Sequence, residues 1–328
     1  MDTEYTVTVE TMAALYPYWL DPGSALKWGC LFVLPPWLEV WWRIFGAEWT
    51  PYPIAVRDRG NLIGIAPLMI QGKRARIIGS PDVCDYLDFI SAPGRGQDVI
   101  RILLQHLGQQ GISLLDLGPL RRDASLLADM THVAETLGYE VTTEPEEVTL
   151  ELALPATWDG FLQSLNGKQR HEIRRKLRRL HEAARIDYRV VEEAGEVKKK
   201  MDIFLTLFGS NRSDKAAFMD GQMASFFRSL AETMAEFQIL KLCFLELDAT
   251  PAAVAMCFDY NSTMYLYNNG YDHRFRSLSV GLLSKVLSIK ESIERGRKTY
   301  NFLKGGEAYK YRLGGAPVPL CRCKVEIG

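Results

Sequence analysis

Between Phe302 and Arg312 the chain reads FLKGGEAYKYR, which gathers the residue types that acid–base chemistry needs. Glu307 brings a carboxylate, and Tyr309 and Tyr311 bring phenols, Tyr311 one helical turn from Glu307 at i+4. Lys304 and Lys310 bring positive charge for an anionic group, and Gly305-Gly306 ahead of them allows close backbone approach. A carboxylate can take a proton, a phenol can give one and an ammonium can hold an anion. The same spacing suits a capping glutamate, an i,i+4 helix pair and surface lysines equally well. Asp272 is a second candidate base.

The segment that must position these groups begins at Thr263. Met264, Tyr265, Leu266 and Tyr267 suit a half-buried strand. Asn268, Asn269 and Gly270 break it, being residues that tolerate unusual backbone angles. After a polar loop, Leu282, Leu283, Val286, Leu287, Ile289 and Ile293 recur at helical spacing, Gly296 ends the helix, and Tyr300, Phe302 and Leu303 open a second strand. The pattern predicts strand, loop, helix, parallel strand. The helix begins in small residues, Ser277, Ser279 and Gly281. Its orphan N–H groups and dipole form an anion site there, although an ordinary capped crossover has the same spacing.

Composition narrows the field. A chain of 328 residues predicts two domains, and 47% hydrophobic with 24% charged residues is globular composition. A formal net charge of −1 argues against bulk attraction to DNA or a membrane surface. The six cysteines form no CxxC pair and the five histidines no HExxH spacing, so reduced thiols and no metal site are expected. The N-terminal stretch lacks a basic region before an apolar core, and no apolar run is long enough to span a bilayer. A cytoplasmic protein is expected.

Along the chain, both halves show the same predicted order of elements. The first half opens with a strand at Tyr5–Glu10 and a tryptophan-rich region from Trp19 to Trp49, read as packing. It continues with hairpin strands around Gly60-Asn61, a helix at 99–107, a strand at 113–117 and a helix at 126–137. Asp85 and Tyr86 lie in a loop-to-strand transition among apolar neighbours, where a charged residue needs a partner or a role. The second half has helices at 158–165 and 168–184, a strand, two helices, two strands and then the segment from Thr263. The helix at 168–184 carries Lys168, Arg170, Arg174, Arg175, Lys176, Arg178 and Arg179 against a single opposing Glu172. Such crowding is usually a solvated face, but its mutual repulsion also favours an anionic partner.

YLYNNGYD, SVGLLS and YNFLKGGEAYKYR together resemble the acetyltransferase domain of CelD-like proteins. That family lies within the GNAT acyltransferases and is related to the FemAB peptidyltransferases. The resemblance covers the second half of the chain. It implies an α+β fold: tandem GNAT-like domains at 1–146 and 147–328, each a mostly antiparallel mixed sheet flanked by helices, with the last strand assigned to the second domain and packing on the first as the alternative. The first copy lacks the small-residue helix start and reads as degenerate. The resemblance further implies acyl transfer from acetyl-CoA or another acyl-CoA to an amine or hydroxyl. A bulge near Asn268 and Asn269 would expose backbone to the donor. Ser277, Ser279, Val280 and Gly281, with Arg274 and Arg276, would hold its diphosphate, although Arg276–Gly281 keeps only part of the usual signature. Glu307 would act as base and Tyr309 or Tyr311 as acid. Lys304 and Lys310, with Arg170, Arg174 and Arg178 of the basic helix and Asp85 and Tyr86 of the first domain, would bind a polar, anionic acceptor such as a glycan precursor. Two alternatives stand beside this: a FemAB-type transferase using aminoacyl-tRNA, and a non-catalytic subunit of a polysaccharide-synthesis complex.

Overall fold

A computed structural model describes residues 4–210 and 220–328. The fold is mixed α+β, and the chain divides into two compact units, Met1–Val148 with Val318–Gly328, and Thr149–Pro317. Among the described residues no helix is long and apolar enough to cross a membrane.

The first unit opens with β1 (Tyr5–Val9), helices Met12–Leu20 and Pro35–Phe45, β2 (Thr50–Asp58), β3 (Asn61–Gln71), β4 (Arg74–Ile77) and the short β5 (Ile90–Ser91). Helix Gly96–Gln109, β6 (Leu114–Arg121), helix Ser125–Thr136 and the beginning of β7 (Glu140–Ala153) follow. Helix Met12–Leu20 is absent from the sequence reading because Pro17 sits inside it. Thr11 compensates at its start, its hydroxyl accepting from the Ala14 N–H. The β2–β3 turn falls on Arg59-Gly60, both at positive φ, as a two-residue hairpin on twisted strands requires. In the tryptophan-rich region Trp28, Trp37 and Trp41 are core, and fully buried Trp37 meets Phe32 edge-on at 4.9 Å, whereas Trp19, Trp42 and Trp49 are half-buried.

The second unit starts with the end of β7, followed by helices Trp158–Ser164 and Gly167–Ala183, β8 (Ile186–Val191) and helices Ala194–Gly209 and Gly221–Glu236. Next come β9 (Leu240–Leu247), β10 (Thr250–Tyr260), β11 (Thr263–Tyr271), a 3-10 turn at His273–Leu278, helix Val280–Glu294, β12 (Thr299–Lys304) and helix Ala308–Arg312. The chain closes with β13 (Ala316–Glu326).

Both units use one pairing scheme. β1, β2, β3 and β4 pair antiparallel in sequence, and β6 joins β4 parallel after a helix. β8, β9, β10 and β11 do the same, with β12 parallel to β11. The sixth place in the first unit is taken by the last strand of the chain, since β13 lies antiparallel to β6. In the second unit the end of β7 takes it, antiparallel to β12.

Candidate functional site

In the second unit β11 and β12 are paired only from Thr263↔Thr299 to Tyr265↔Asn301. Beyond that β11 continues to Tyr271 and β12 to Lys304 without pairing to each other, so the sheet opens there. On its other edge β11 bulges: Leu266 faces Cys257 and Asn268 faces Met256, leaving Tyr267 as the extra residue. The bulge therefore falls beside Asn268 and Asn269. Gly270 is required at the end of the strand, because a Cβ there would lie 2.4 Å from the Leu207 backbone.

The turn after β11 is built around Asp272. Its carboxylate accepts from the Arg274 N–H at 2.9 Å and from the Arg274 guanidinium at 2.6 Å. That guanidinium holds Asp272 below the usual carboxylate range. Asp272, the second candidate base, is thus engaged by Arg274 in its own turn and is not among the described lining residues of the cavity below. Arg274 is paired locally with Asp272, its side chain otherwise exposed. Ser279 then takes left-handed angles, φ 59° and ψ 32°, to start helix Val280–Glu294, and its carbonyl accepts from Leu282 and Leu283. The N–H groups of Val280 and Gly281 have no acceptor within the helix. A Cβ on Gly281 would sit 2.8 Å from Tyr271, so glycine lets this helix start close onto β11.

Arg276, Ser279, Val280, Gly281 and Tyr309 line one cavity of about 280 Å³. Lys176, Tyr271, Leu282 and Lys285 join them, and no carboxylate is among the described lining residues. Lys285 lies one turn beyond Gly281 and is 7% exposed. Its ammonium donates to Asn269 Oδ1 at 2.9 Å and to the Gly281 carbonyl at 2.7 Å, and stands 5.0 Å above the Tyr309 ring. Burial, with Glu307 nearby, pushes the Tyr309 phenol well above its ordinary value. Tyr311 is 44% exposed and lines no part of the cavity.

Glu307 occupies the N-cap position of helix Ala308–Arg312, exposed, with its carboxylate 2.9 Å from the Lys310 ammonium. Lys310 itself is 2% exposed and donates to the carbonyls of Leu303, Lys304 and Gly305 at 3.0, 2.6 and 3.0 Å. The expectation that Lys310 binds an acceptor is therefore corrected: its ammonium is consumed in tying the helix to the end of β12. The residue it holds is unusual. Leu303 has φ 61°, costly for a leucine, and its N–H donates to Asn301 Oδ1 at 2.8 Å while its carbonyl accepts from Lys310. Asn301, fully buried, also accepts from Thr149 and donates to Glu151.

Among the remaining sequence-predicted residues, Lys304 is half-buried and Ser277 exposed, neither on the cavity. Arg174 and Arg178 are exposed, and with Arg170 they follow each other at i, i+4, i+8 along one edge of helix Gly167–Ala183. Lys176 lies on another side, in phase with buried Ile173 and Leu180, and is the basic residue of this helix that reaches the cavity. Asp85 and Tyr86 belong to the first unit. Tyr86 is 4% exposed, edge-on to Phe32 at 5.1 Å, which corrects its reading as a substrate contact. Nearby Asp88 is pushed up to about 6 by burial.

Four lining residues, Lys176, Tyr271, Leu282 and Lys285, were not among the candidate site residues, and the two lysines carried a signal. Lys285 interrupts an apolar stripe at i+4 from Gly281, and Lys176 falls at i+3 from Ile173.

Residues 167–311 match the model of the acetyltransferase (GNAT) domain family. No curated protein matches the chain. Among solved structures it is similar to the crystal structure of FemX, with 13% identity, a TM-score of 0.66, and 97% of this chain and 96% of that one covered. It is also similar to a conserved protein of unknown function from Bacteroides thetaiotaomicron VPI-5482, with 12% identity, a TM-score of 0.59 and 89% of each chain covered. At these identities the likeness is one of fold.

Proposed function

We propose that the chain is an acyltransferase of the GNAT type, moving an acyl group, acetyl in the simplest case, from acyl-CoA to an amine or hydroxyl. The observation that carries this is one cavity, at the opening of β11 from β12, lined both by a helix start and by a half-buried phenol. The helix start suits a diphosphate: N–H groups without an acceptor in the helix, the dipole, and Arg276 and Lys176 among the lining residues. The GNAT match over this same segment points to the same donor.

Acyl transfer needs the acceptor's proton removed, the carbonyl polarised and the leaving sulfur stabilised. Glu307, exposed at the start of helix Ala308–Arg312, is assigned the first task in this reading. Tyr309 is assigned a hydrogen bond at the sulfur end. Arg170, Arg174 and Arg178 form a cationic edge for a polar, anionic acceptor, with glycan or glycoconjugate precursors as the chemical class. Calorimetry with acetyl-CoA, longer acyl-CoAs and aminoacyl-tRNA tests the donor. Binding of a CoA ester is the expected result. Binding of aminoacyl-tRNA alone would transfer the reading to a FemAB-type reaction, and binding of neither would leave a non-catalytic subunit.

A further inference from the structure

We propose that the first unit binds an oxyanion, the phosphate or carboxylate group of a small molecule, at Arg76 on one face of its sheet. This site is independent of the acyl-CoA reading. β4 carries Arg74 and Arg76 two residues apart, so both project from the same face. Asp116 of β6 and Arg322 of β13 meet them there. The Arg322 stem lies across Gly118, where a Cβ would stand 3.0 Å from its Cγ. All four charged residues belong to the compact unit Met1–Val148 with Val318–Gly328.

Asp116 is buried and both its oxygens are taken. Arg322 donates to Oδ1 and to Oδ2, each at 2.6 Å, and Arg74 donates to Oδ2. Burial pushes the carboxyl up, yet the two guanidiniums prevail and keep it at about 2, ionised at neutral pH. These bonds already fasten β13 to β6 and β4. Arg76 adds a third guanidinium that the fastening does not use. Its Nε stays 3.9 Å from Asp116, and its side chain makes no hydrogen bond among the described residues. That side chain is nevertheless only 19% exposed, its guanidinium carbon 5.8 Å from the centre of the Trp49 ring. The buried Nε of Arg74 also lacks an acceptor among the described residues.

Guanidinium donors left unbonded at such burial are costly, and folded proteins answer them with a protein group, water or a ligand. Water can take the donors but not the charge. Among the described residues, three arginines meet two carboxylates, Asp116 and Glu146, the second 3.5 Å from Arg322. Lys324 and Glu144, alongside, pair with each other at 3.4 Å. One positive charge is left over. Burial lowers Arg76 against the pull of Asp116, and the like charges of Arg322 and Arg74 lower it further. An anion at Arg76 would accept its open N–H groups and relieve that crowding. Phosphate and carboxylate present paired oxygens that match the planar guanidinium fork, which chloride does not.

The test titrates the full chain with inorganic phosphate, and separately with acetate, at constant ionic strength in chloride. Tryptophan emission is the readout, because Trp49 stands beside Arg76 and six of the seven tryptophans lie in this unit. A saturable change is expected. Saturation by phosphate at the lower concentration identifies a phosphate ligand, and the reverse order identifies a carboxylate. Arg76→Met should weaken the tighter anion by about tenfold or more, the scale of one hydrogen bond to a charged group. Should Arg76→Met not fold, Arg76→Gln gives the same readout. Lys176→Glu, which alters the helix-start cavity of the second unit, should leave this response in place. No saturable change with either anion in wild type overturns the site, as does unchanged affinity in Arg76→Met. A response lost in Lys176→Glu overturns it too, because the anion would then sit in the second unit.

Discussion

At the scale of single residues, burial separates side chains that spacing left equal. Tyr309 and Tyr311 are both phenols on one short helix, yet only Tyr309 lines the cavity, while Tyr311 is 44% exposed. Tyr309→Phe should therefore lower turnover at least tenfold with donor affinity kept, and Tyr311→Phe should change neither. Glu307→Gln should lower turnover by about a hundredfold, the usual scale for losing a general base. Steady-state kinetics with calorimetry of the donor checks all three variants. Equal effects of the two tyrosine changes would show that the geometry has been assigned to the wrong phenol. Lys310 teaches the complementary lesson. A lysine in a reactive-looking motif is here a structural clamp, because three carbonyls leave its ammonium nothing to offer a ligand.

At the scale of elements, helix Gly167–Ala183 divides its charges by phase. Ile173 and Leu180 are buried, and Lys176 shares their side, close to the turn that carries Arg276. Arg174 and Arg178 are turned away and exposed. Lys176→Glu should weaken coenzyme A binding by about tenfold, the loss expected when a phosphate-facing cation becomes repulsive. Arg174→Glu with Arg178→Glu should leave coenzyme A affinity within about threefold and stability within about half a kcal/mol. Titration calorimetry and thermal unfolding distinguish the two outcomes. Equal loss of coenzyme A affinity in both variants would return the whole helix to nonspecific attraction.

At the scale of the molecule, the first compact unit is completed by a strand outside its own continuous run, and the second by the strand at the very start of its run. Val318–Gly328 belongs to the first unit, where Leu320, Cys321, Cys323 and Val325 of β13 are buried and Arg322 pairs with buried Asp116. Burial alone would push Asp116 up, but Arg322 and Arg74 hold it at about 2. Each buried side chain of that size contributes about 1.5–3 kcal/mol, and a whole domain is stable by only about 5–15 kcal/mol. A chain ending at Pro317 should therefore lose the first unit's cooperative unfolding transition. Six of the seven tryptophans lie in that unit, so tryptophan fluorescence reports the loss directly. A native emission spectrum from the shortened chain would show that β13 is dispensable.

Several features were legible in the sequence because they are local. The crossover from β11 through helix Val280–Glu294 to β12 follows from apolar period and from Asn, Gly and Ser at its breaks. The repeated order of elements in the two halves and the family resemblance of the segment from Thr263 follow from the same local patterns. Tertiary structure alone decided which residues share a cavity. Strands β11 and β12 part only after Tyr265, where the Tyr267 bulge and the clamped Leu303 redirect them, and no residue type announces such a divergence. Asp272 and Lys310 look available in the sequence because their partners, Arg274 and three backbone carbonyls, are defined by folding. Lys285 was the reverse case, a charge within an apolar stripe, whose meaning depends on Asn269, Gly281 and Tyr309 arriving from two other elements and one turn of its own. Periodicity is set by neighbours along the chain, whereas burial and hydrogen-bond satisfaction are set by neighbours across it.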